Sequence, residues 1–282
     1  VSGALINNGT LRNEGFDLNL RFKVIDNDRF SYFTTGIFSI NKNTLKKVDV
    51  PNKQIFEYVN GSVAETGAAL RTIYSYDYRG LDAKGAPQFA NELGEVVDAK
   101  TFINSTDALV MDGSLISKYY GSWINSFAYK NFFLRTLTTF KAGHVFRYAR
   151  NYNVTYIPAV SLNSPYVNVP ADFNQRWQKP GDELFTDIPG LPAFADRQAT
   201  GYSYYRDSGK FVDKAAFIRL SQLNLGYSVD KKMLDRIGVR TLQIGLQADN
   251  LAVWNFNQWD VDPESPFLPM TPTYTLNVSL SF

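Results

Sequence analysis

The sequence predicts an all-β protein, and more specifically an antiparallel β-barrel that spans a membrane. Three observations lead to this fold class: strict alternation of apolar and polar residues, a regular order of short and long gaps between the alternating runs, and an aromatic content of 15%. The chain ends on "TYTLNVSLSF", in which every even-numbered residue from Tyr274 to Phe282 is apolar. Because successive side chains of a strand point to opposite faces, these residues form one apolar face. A terminus patterned to its last residue is expected to be paired in a sheet.

Other runs repeat this alternation along the chain. The clearest is "FDLNLRFKV" at 16–24, which precedes Asp26-Asn27-Asp28, a composition typical of a turn. With the C-terminal run, strands are predicted at 16–24, 29–41, 119–129, 132–143, 215–228, 239–252 and 273–282. An eighth strand is possible at 70–78, and the sequence has neither a helical stripe of useful length nor an internal repeat.

The gaps between these strands run short, long, short, long, medium, long. They lie at 26–28, 42–118, 130–131, 144–214, 229–238 and 253–272. Loops beyond about 15 residues are uncommon in compact soluble domains. In membrane barrels, by contrast, short periplasmic turns alternate with long extracellular loops. The order therefore predicts that the three long gaps are extracellular and that Phe282 lies at the aromatic girdle on the periplasmic side.

Composition excludes several classes of protein. The net charge is +2 and the basic residues are scattered, so the sequence shows no electrostatic footprint for nucleic acid. Cysteine is absent, which excludes disulfides, thiolate zinc sites and a cysteine nucleophile. No apolar run approaches the roughly 18 residues that a membrane helix needs. The chain begins Val-Ser without a signal peptide, so we expect a processed or partial chain.

Candidate catalytic and metal-binding residues are few, and we expect no covalent chemistry, no metal and no cofactor. The single histidine, His144, follows a predicted strand, where a solvated loop residue is a better interpretation than a general base. The Asp26–Asp28 segment could supply calcium ligands, but Asp and Asn are also favoured in turns for backbone reasons. Asp260, Asp262 and Glu264 could hold a metal or act as paired acids, yet the prolines around them favour a rigid loop.

Aromatic residues in the predicted outer loops are the candidate ligand-binding residues. They are Trp177, Tyr204, Tyr205, Trp254 and Trp259. Sugar rings stack their apolar faces on such side chains, and the mouths of barrels are common ligand sites. The alternative is that these aromatics only anchor the protein at the membrane interface.

Five segments of the chain resemble one family. They are "INNGTLRNEGFDLNL" (6–20), "KYYGSWINSFAYKNFFL" (118–134), "RWQKPGDELFTDIP" (176–189), "FIRLSQLNLGYSV" (217–229) and "DNLAVWNFNQWDVDPES" (249–265). In this order, and with the final Phe282, they are similar to the C-terminal part of SusC/RagA-type TonB-dependent transporters. In that family the first half of the third segment, Arg176–Asp182, belongs to a long outer loop, and the fifth segment leaves the penultimate strand, which agrees with the order of the gaps.

The resemblance implies the following function and surroundings. Residues 1–282 would be the C-terminal portion of a plugged outer-membrane barrel of roughly 22 strands, multi-pass in a Gram-negative bacterium, with no plug domain in this chain. The rest of the barrel and its plug would contact TonB through an N-terminal part that is missing here. The partner would be a SusD-like surface lipoprotein that closes as a lid, and the substrate an oligosaccharide or an oligopeptide.

Other interpretations remain open at this point. A soluble carbohydrate-binding β-sandwich would show the same alternation with the apolar face turned to a dry core. A surface glycoside hydrolase would need two carboxylates at a fixed separation across a sugar. An autonomous eight-stranded barrel would have to carry two loops of some 70 residues, which barrels of that size rarely do.

Overall fold

The computed structural model describes residues 9–48, 54–102, 105–148, 170–191, 201–235 and 238–282. Strands and three short helices follow one another in the described residues in this order: β1 (Gly9–Asp26), β2 (Phe30–Val48), α1 (Ile55–Asn60), β3 (Thr72–Tyr76), β4 (Tyr78–Leu81), β5 (Pro87–Ala90), β6 (Val96–Asp98), β7 (Leu109–Ser114), β8 (Tyr119–Tyr129), β9 (Phe132–Ala142), β10 (Val145–Arg147), α2 (Gly201–Arg206), β11 (Val212–Lys214), β12 (Phe217–Ser228), α3 (Lys231–Leu234), β13 (Thr241–Asn255) and β14 (Thr273–Ser281). None of the helices described here has the length and apolar character needed to cross a membrane.

Seven strands form one sheet, in the order β1-β2-β8-β9-β12-β13-β14. All seven were predicted from alternation, and the observed bounds lie close to the predicted ones for β8, β9 and β14. Strands β1 and β2 are longer than predicted, because both continue past their regular alternation. The pairs from β2 to β14 are antiparallel, and β12 and β13 shift register between Leu220 and Gln222.

The two longest predicted loops are folded. Here β3 pairs with β7, β4-β5-β6 form a three-stranded sheet, and β10 pairs with β11. The possible eighth strand at 70–78 therefore exists as β3, but it lies outside the seven-stranded sheet. Long connections in membrane barrels can fold because they have enough apolar residues for a core of their own, and these do.

The chain divides into two compact units. The first, called the loop unit below, comprises Val1–Leu11, Thr44–Leu115 and Val145–Asp213. The second, called the sheet unit, comprises Arg12–Asn43, Ile116–His144 and Lys214–Phe282. The two units differ in which residues they bury: the loop unit buries aromatic side chains, whereas the edge strands of the sheet unit are exposed along their whole length.

The loop unit has an aromatic core. Phe89 is fully buried, and its ring lies 5.7 Å from that of Phe102 and 6.2 Å from that of Tyr76. Helix α1 is fixed at both ends. A capping box joins Gln54 and Glu57 at its start, and Gly61 ends it at φ 74°, a left-handed conformation that favours glycine.

The sheet unit is a single sheet with open edges. Strands β1 and β14 are its edge strands, and every residue in both is exposed. An edge strand leaves a row of backbone N–H and C=O groups without a partner strand.

Candidate functional site

One face of the seven-stranded sheet is apolar and uncovered. Val278 lies opposite Ile244, and Leu276 opposite Leu246, which in turn lies opposite Leu225. Leu276 is 70% exposed and Val278 57%. Contiguous apolar surface of this kind is rare on soluble monomers and marks a surface that contacts lipid or protein. Phe282 continues the same parity and is also exposed.

A cluster of polar side chains interrupts this apolar face, and its members form hydrogen bonds with one another. Asn125 Oδ1 accepts hydrogen bonds from Tyr32 Oη at 2.9 Å and from Thr34 Oγ1 at 3.0 Å. Trp123 Nε1 donates to Thr34 Oγ1 at 2.7 Å. Polar groups in an apolar environment cost free energy unless they are hydrogen-bonded, so these contacts make the cluster compatible with the surrounding apolar residues.

The opposite face of the sheet is polar. Asp249 Oδ1 accepts hydrogen bonds from Gln222 Nε2 and Gln247 Nε2, each at 3.1 Å, and Asn224 Nδ2 donates to Gln222 Oε1 at 2.9 Å. A cavity of about 550 Å³ is lined largely by residues of this face, including Asn224, Gln247 and Asn277. The sheet thus has one face suited to lipid and one suited to water or polar protein groups.

Trp177 is held inside the loop unit. Its indole packs on Gly85 and Gly190, where an added Cβ would come within 2.3 Å and 2.7 Å of the ring. Its Nε1 donates to Glu183 Oε2 at 2.9 Å. These contacts use both the ring surface and the polar edge of Trp177 to fix the "RWQKPGDELFTDIP" segment.

Tyr204 and Tyr205 belong to the aromatic core. The ring of Tyr204 lies 4.5 Å from that of Tyr76 and 5.4 Å from that of Phe102. Tyr205 is 1% exposed and packs edge-to-face on Phe211 at 5.2 Å. Their position in a helical turn, α2, was not visible as periodicity in a segment of six residues.

Trp254 and Trp259 have different environments. Trp254 is 54% exposed on β13 and lies opposite Ile218, on the same side as that apolar residue. Trp259 is half-buried in the turn after β13. Of the five candidate aromatics, Trp254 therefore has the exposed sheet position that interface anchoring requires.

The carboxylates after β13 form ion pairs. Arg219 Nη2 donates to both carboxylate oxygens of Asp262, at 2.9 and 2.8 Å, and to Glu264 Oε2 at 3.0 Å. Glu264 Oε1 also accepts from Lys141 Nζ at 2.6 Å. Arg219 and Asp262 are buried. This arrangement ties the loop to β12, in agreement with the interpretation of a rigid loop.

An arginine that the sequence analysis did not select, Arg147, has a side chain only 12% exposed and connects several parts of the loop unit. Arg147 donates to the carbonyl oxygens of Val59 at 2.6 Å and Tyr74 at 2.7 Å, and to Ser75 Oγ at 3.0 Å. Asp112 lies 3.9 Å away and accepts a hydrogen bond from Ser75. Burial raises the pKa of Asp112 and lowers that of Arg147. No sequence signal marks Arg147, since its partners are mostly backbone groups far along the chain.

The remaining polar candidates have structural roles. Asn27 Oδ1 accepts from the backbone N–H groups of Arg29 and Phe30, both at 3.0 Å, as in a turn. Burial and the nearby Lys141 lower the pKa of His144, whose Nδ1 makes no hydrogen bond within the described residues. The described residues thus provide no hydrogen bond at Nδ1 that would orient the ring as a general base. Among the described residues, no group of three or more His, Cys, Asp or Glu is placed to hold a metal ion.

The chain has sequence similarity to known proteins. No family model matches the chain. It is 23% identical over 285 residues to "TonB-dependent receptor P3" of Formosa agariphila, covering 95% of this chain and 26% of the relative. It is also 23% identical over 303 residues to "TonB-dependent receptor P39" of the same organism, covering 92% of this chain and 28% of that relative. The chain thus spans about a quarter of the length of these relatives.

Solved structures share the fold. "Structure of the RagAB peptide transporter" superposes with a TM-score of 0.69 at 20% identity, covering 98% of this chain and 30% of that one. The closed-closed state of the RagAB peptide importer gives 0.68 at 21% identity, covering 98% and 30%. The chain is similar to the C-terminal part of a SusC/RagA-type TonB-dependent transporter. The SusC/RagA-type relatives are named as receptors and transporters, not as enzymes, in agreement with the expectation of no covalent chemistry.

Proposed function

We propose that this chain is the C-terminal portion, over residues 1–282, of an outer-membrane barrel that imports oligosaccharides or oligopeptides in a TonB-dependent manner. The single observation that carries the proposal is the seven-stranded sheet with an uncovered apolar face and a polar face. A single sheet of this kind is stable where lipid covers the apolar face. In the soluble β-sandwich alternative a second sheet would bury that face, whereas Leu276 is 70% exposed and Val278 57%.

The barrel would be completed by further polypeptide. Strands β1 and β14 are open edges, and in lipid an edge with unpaired backbone groups is too costly to persist. A plug or a water-filled lumen would lie against the polar face, where Asn224, Gln247 and Asn277 contribute to the cavity lining. Phe282 would lie at the periplasmic girdle, and a SusD-like lipoprotein would cover the extracellular mouth. The RagAB structures, named for a peptide transporter, support a partner and a peptide substrate by similarity alone.

The topology can be tested with single cysteines, since this chain has none of its own. Glu92 is exposed in the loop unit, and Asp28 is exposed in the β1–β2 turn. In the full-length protein, we expect Glu92→Cys to react with a membrane-impermeant maleimide on intact cells. Asp28→Cys should react only after the outer membrane is permeabilised. The reverse labelling would reverse the topology, and equal labelling of both on intact cells would contradict a membrane-spanning sheet.

Transport is tested separately. A strain that lacks the gene should lose uptake of a labelled oligosaccharide or oligopeptide pool, and a strain that lacks TonB should lose it to the same extent. Uptake that persists without TonB would contradict the proposed energy coupling. Capture of a surface lipoprotein by the tagged protein, lost after deletion of the loop unit, would support the partner.

A further inference from the structure

The loop unit contains a second cavity, distinct from the one on the polar face of the sheet, with a volume of about 710 Å³. Helix α1 forms one wall with Phe56 and Asn60, and Thr106 follows from a short helical turn. Arg147 from β10 and Arg206 and Asp207 from the end of α2 complete its polar lining. Parts of the chain that are far apart in sequence therefore converge on this cavity.

One hydrogen-bond donor of Arg147 has no partner among the described residues. A guanidinium has five N–H donors. Three of those on Arg147 are accounted for by Val59, Tyr74 and Ser75, and its Nε is buried without a partner in the described residues. A buried donor without an acceptor costs free energy. The contribution of Arg147 to the cavity that it lines is its positive charge.

Arg206 is held in place beside it. Its Nε and Nη2 donate to the two carboxylate oxygens of Asp207, at 3.1 and 2.7 Å. This fork fixes the guanidinium and leaves Nη1 without a hydrogen bond among the described residues. The side chain is 47% exposed, so Nη1 can be approached from solvent.

The cavity lining favours an anion. Its charged side chains are Arg147 and Arg206 against Asp207 alone. Asp112, which does not line the cavity, lies 3.9 Å from Arg147 and accepts a hydrogen bond from Ser75. Asn60 and Thr106 add neutral polar groups, and Phe56, 63% exposed, adds an apolar surface. Arginine pairs well with planar oxyanions such as carboxylates.

We propose that this cavity binds a carboxylate of the transported ligand between Arg147 and Arg206, with the adjacent part of the ligand packed on Phe56. The inference rests on the proposed import function and narrows its substrate to acidic oligomers. Two sources share this chemistry, the C-terminal or side-chain carboxylate of a peptide and the carboxylate of a uronic acid.

The test uses the full-length protein in detergent and four probes. These are a mixture of oligopeptides with free C-terminal carboxylates, the same mixture amidated, uronic-acid oligosaccharides, and their methyl esters. Isothermal titration calorimetry should give tighter binding, by about 10- to 100-fold, for the free-acid form of one pair, as expected for a charge-assisted hydrogen bond. The pair that shows the difference identifies the source of the carboxylate.

Arg206→Gln should remove most of this difference between the free-acid and neutral forms. Arg79→Gln is the matched control, because Arg79 also pairs with a neighbouring aspartate, at 2.6 Å from Asp77, and is 50% exposed, but does not line the cavity. Unchanged circular dichroism and melting of both variants would show that they are folded. Asn60→Asp, which adds a negative charge at the lining, should weaken free-acid binding in the same way.

Three results would overturn the proposal: equal binding of acidic and neutral forms by the unsubstituted protein, equal losses in Arg206→Gln and Arg79→Gln, or no binding of any probe. Uptake distinguishes this failure from failure of the proposed function. TonB-dependent uptake without any preference for acidic ligands would refute the proposed carboxylate site and leave the proposed import function supported. Tighter binding of acidic ligands without TonB-dependent uptake would support the carboxylate site and contradict the proposed import function.

Discussion

In the loop unit, Phe89, Tyr205 and Phe211 are at most 2% exposed, whereas in the sheet unit Leu276, Val278 and Leu280 are between 49% and 70% exposed. The same classes of residue are thus inside in one unit and outside in the other. Burial of apolar surface stabilises the loop unit as it does any soluble domain. The sheet unit instead needs an apolar medium on one face. The two units are therefore specified by different sequence patterns: clustered aromatic residues in the loop unit, and alternation of apolar and polar residues in the sheet unit.

The largest effect is expected in the loop unit core. Phe89→Ala should lower the free energy of unfolding of this unit by about 3–5 kcal/mol, since it leaves a cavity among Tyr76, Phe102 and Tyr204. Native-state hydrogen exchange in β5 and α2 would measure it, because exchange reports opening of individual regions. Leu93→Ala, at a residue 77% exposed, is the control and should change little. Equal effects of the two substitutions would show that the loop unit has no core of its own.

The sheet unit should respond to charge instead. Val278→Arg should cost roughly 2–4 kcal/mol, because the substitution puts a charge on the face that lipid covers, whereas Asn277→Arg should cost much less on the polar face. Unfolding by denaturant in lipid vesicles, after equal insertion is confirmed, would compare them. Equal losses would contradict the outward assignment. A larger loss for Asn277→Arg would favour a sandwich or a register shifted by one residue, because such a shift exchanges the faces.

A smaller effect is expected where the loop after β13 is tied to the sheet. Asp262→Asn should cost about 1.5–3 kcal/mol, because Arg219 loses charge-assisted hydrogen bonds while Glu264 still pairs with it. Faster hydrogen exchange at 256–272 would report it. Asp260→Asn is the matched control, since Asp260 is exposed and Asn tolerates its left-handed φ of 51°. An unchanged exchange rate in Asp262→Asn would mean that the prolines alone hold this loop.

The smallest effect is expected at the surface of the loop unit. Removing the exposed pair of Arg79 and Asp77 by Asp77→Asn should cost less than about 1 kcal/mol, because solvent screens such pairs. Thermal melting of the full-length protein would measure it. A loss as large as that of Phe89→Ala would mean that surface charge, rather than the aromatic core, stabilises this unit.

Much of the sheet unit could be predicted from the sequence, because alternation is local. The strand at 273–282 shows its two faces in ten residues, and its partner at 239–252 shows them again. The register shift between Leu220 and Gln222 could not be predicted, since it depends on the bulged pairing of two strands.

Little of the loop unit could be predicted in the same way. Its strands are mostly three to six residues long, too short for periodicity to be distinct. The sequence places Trp177 and Tyr205 in long connections between the strands of the sheet, but what they contact depends on residues some 10 to 130 positions away. Arg147 was missed for the same reason: a buried guanidinium bound to backbone oxygens leaves no motif.

The contacts of Arg147 also constrain the order of folding. They join β10 to Val59, 88 residues earlier, and to Tyr74, 73 residues earlier, and the whole β8–β9 hairpin lies between these partners in the chain. Contacts of high sequence separation form slowly, since the entropy of loop closure must first be overcome. The loop unit therefore cannot acquire its final structure from its first segment alone. Its folding can be completed only after that hairpin and β10 have been synthesised, so the completion of the loop unit depends on segments that belong to, or follow, the sheet unit.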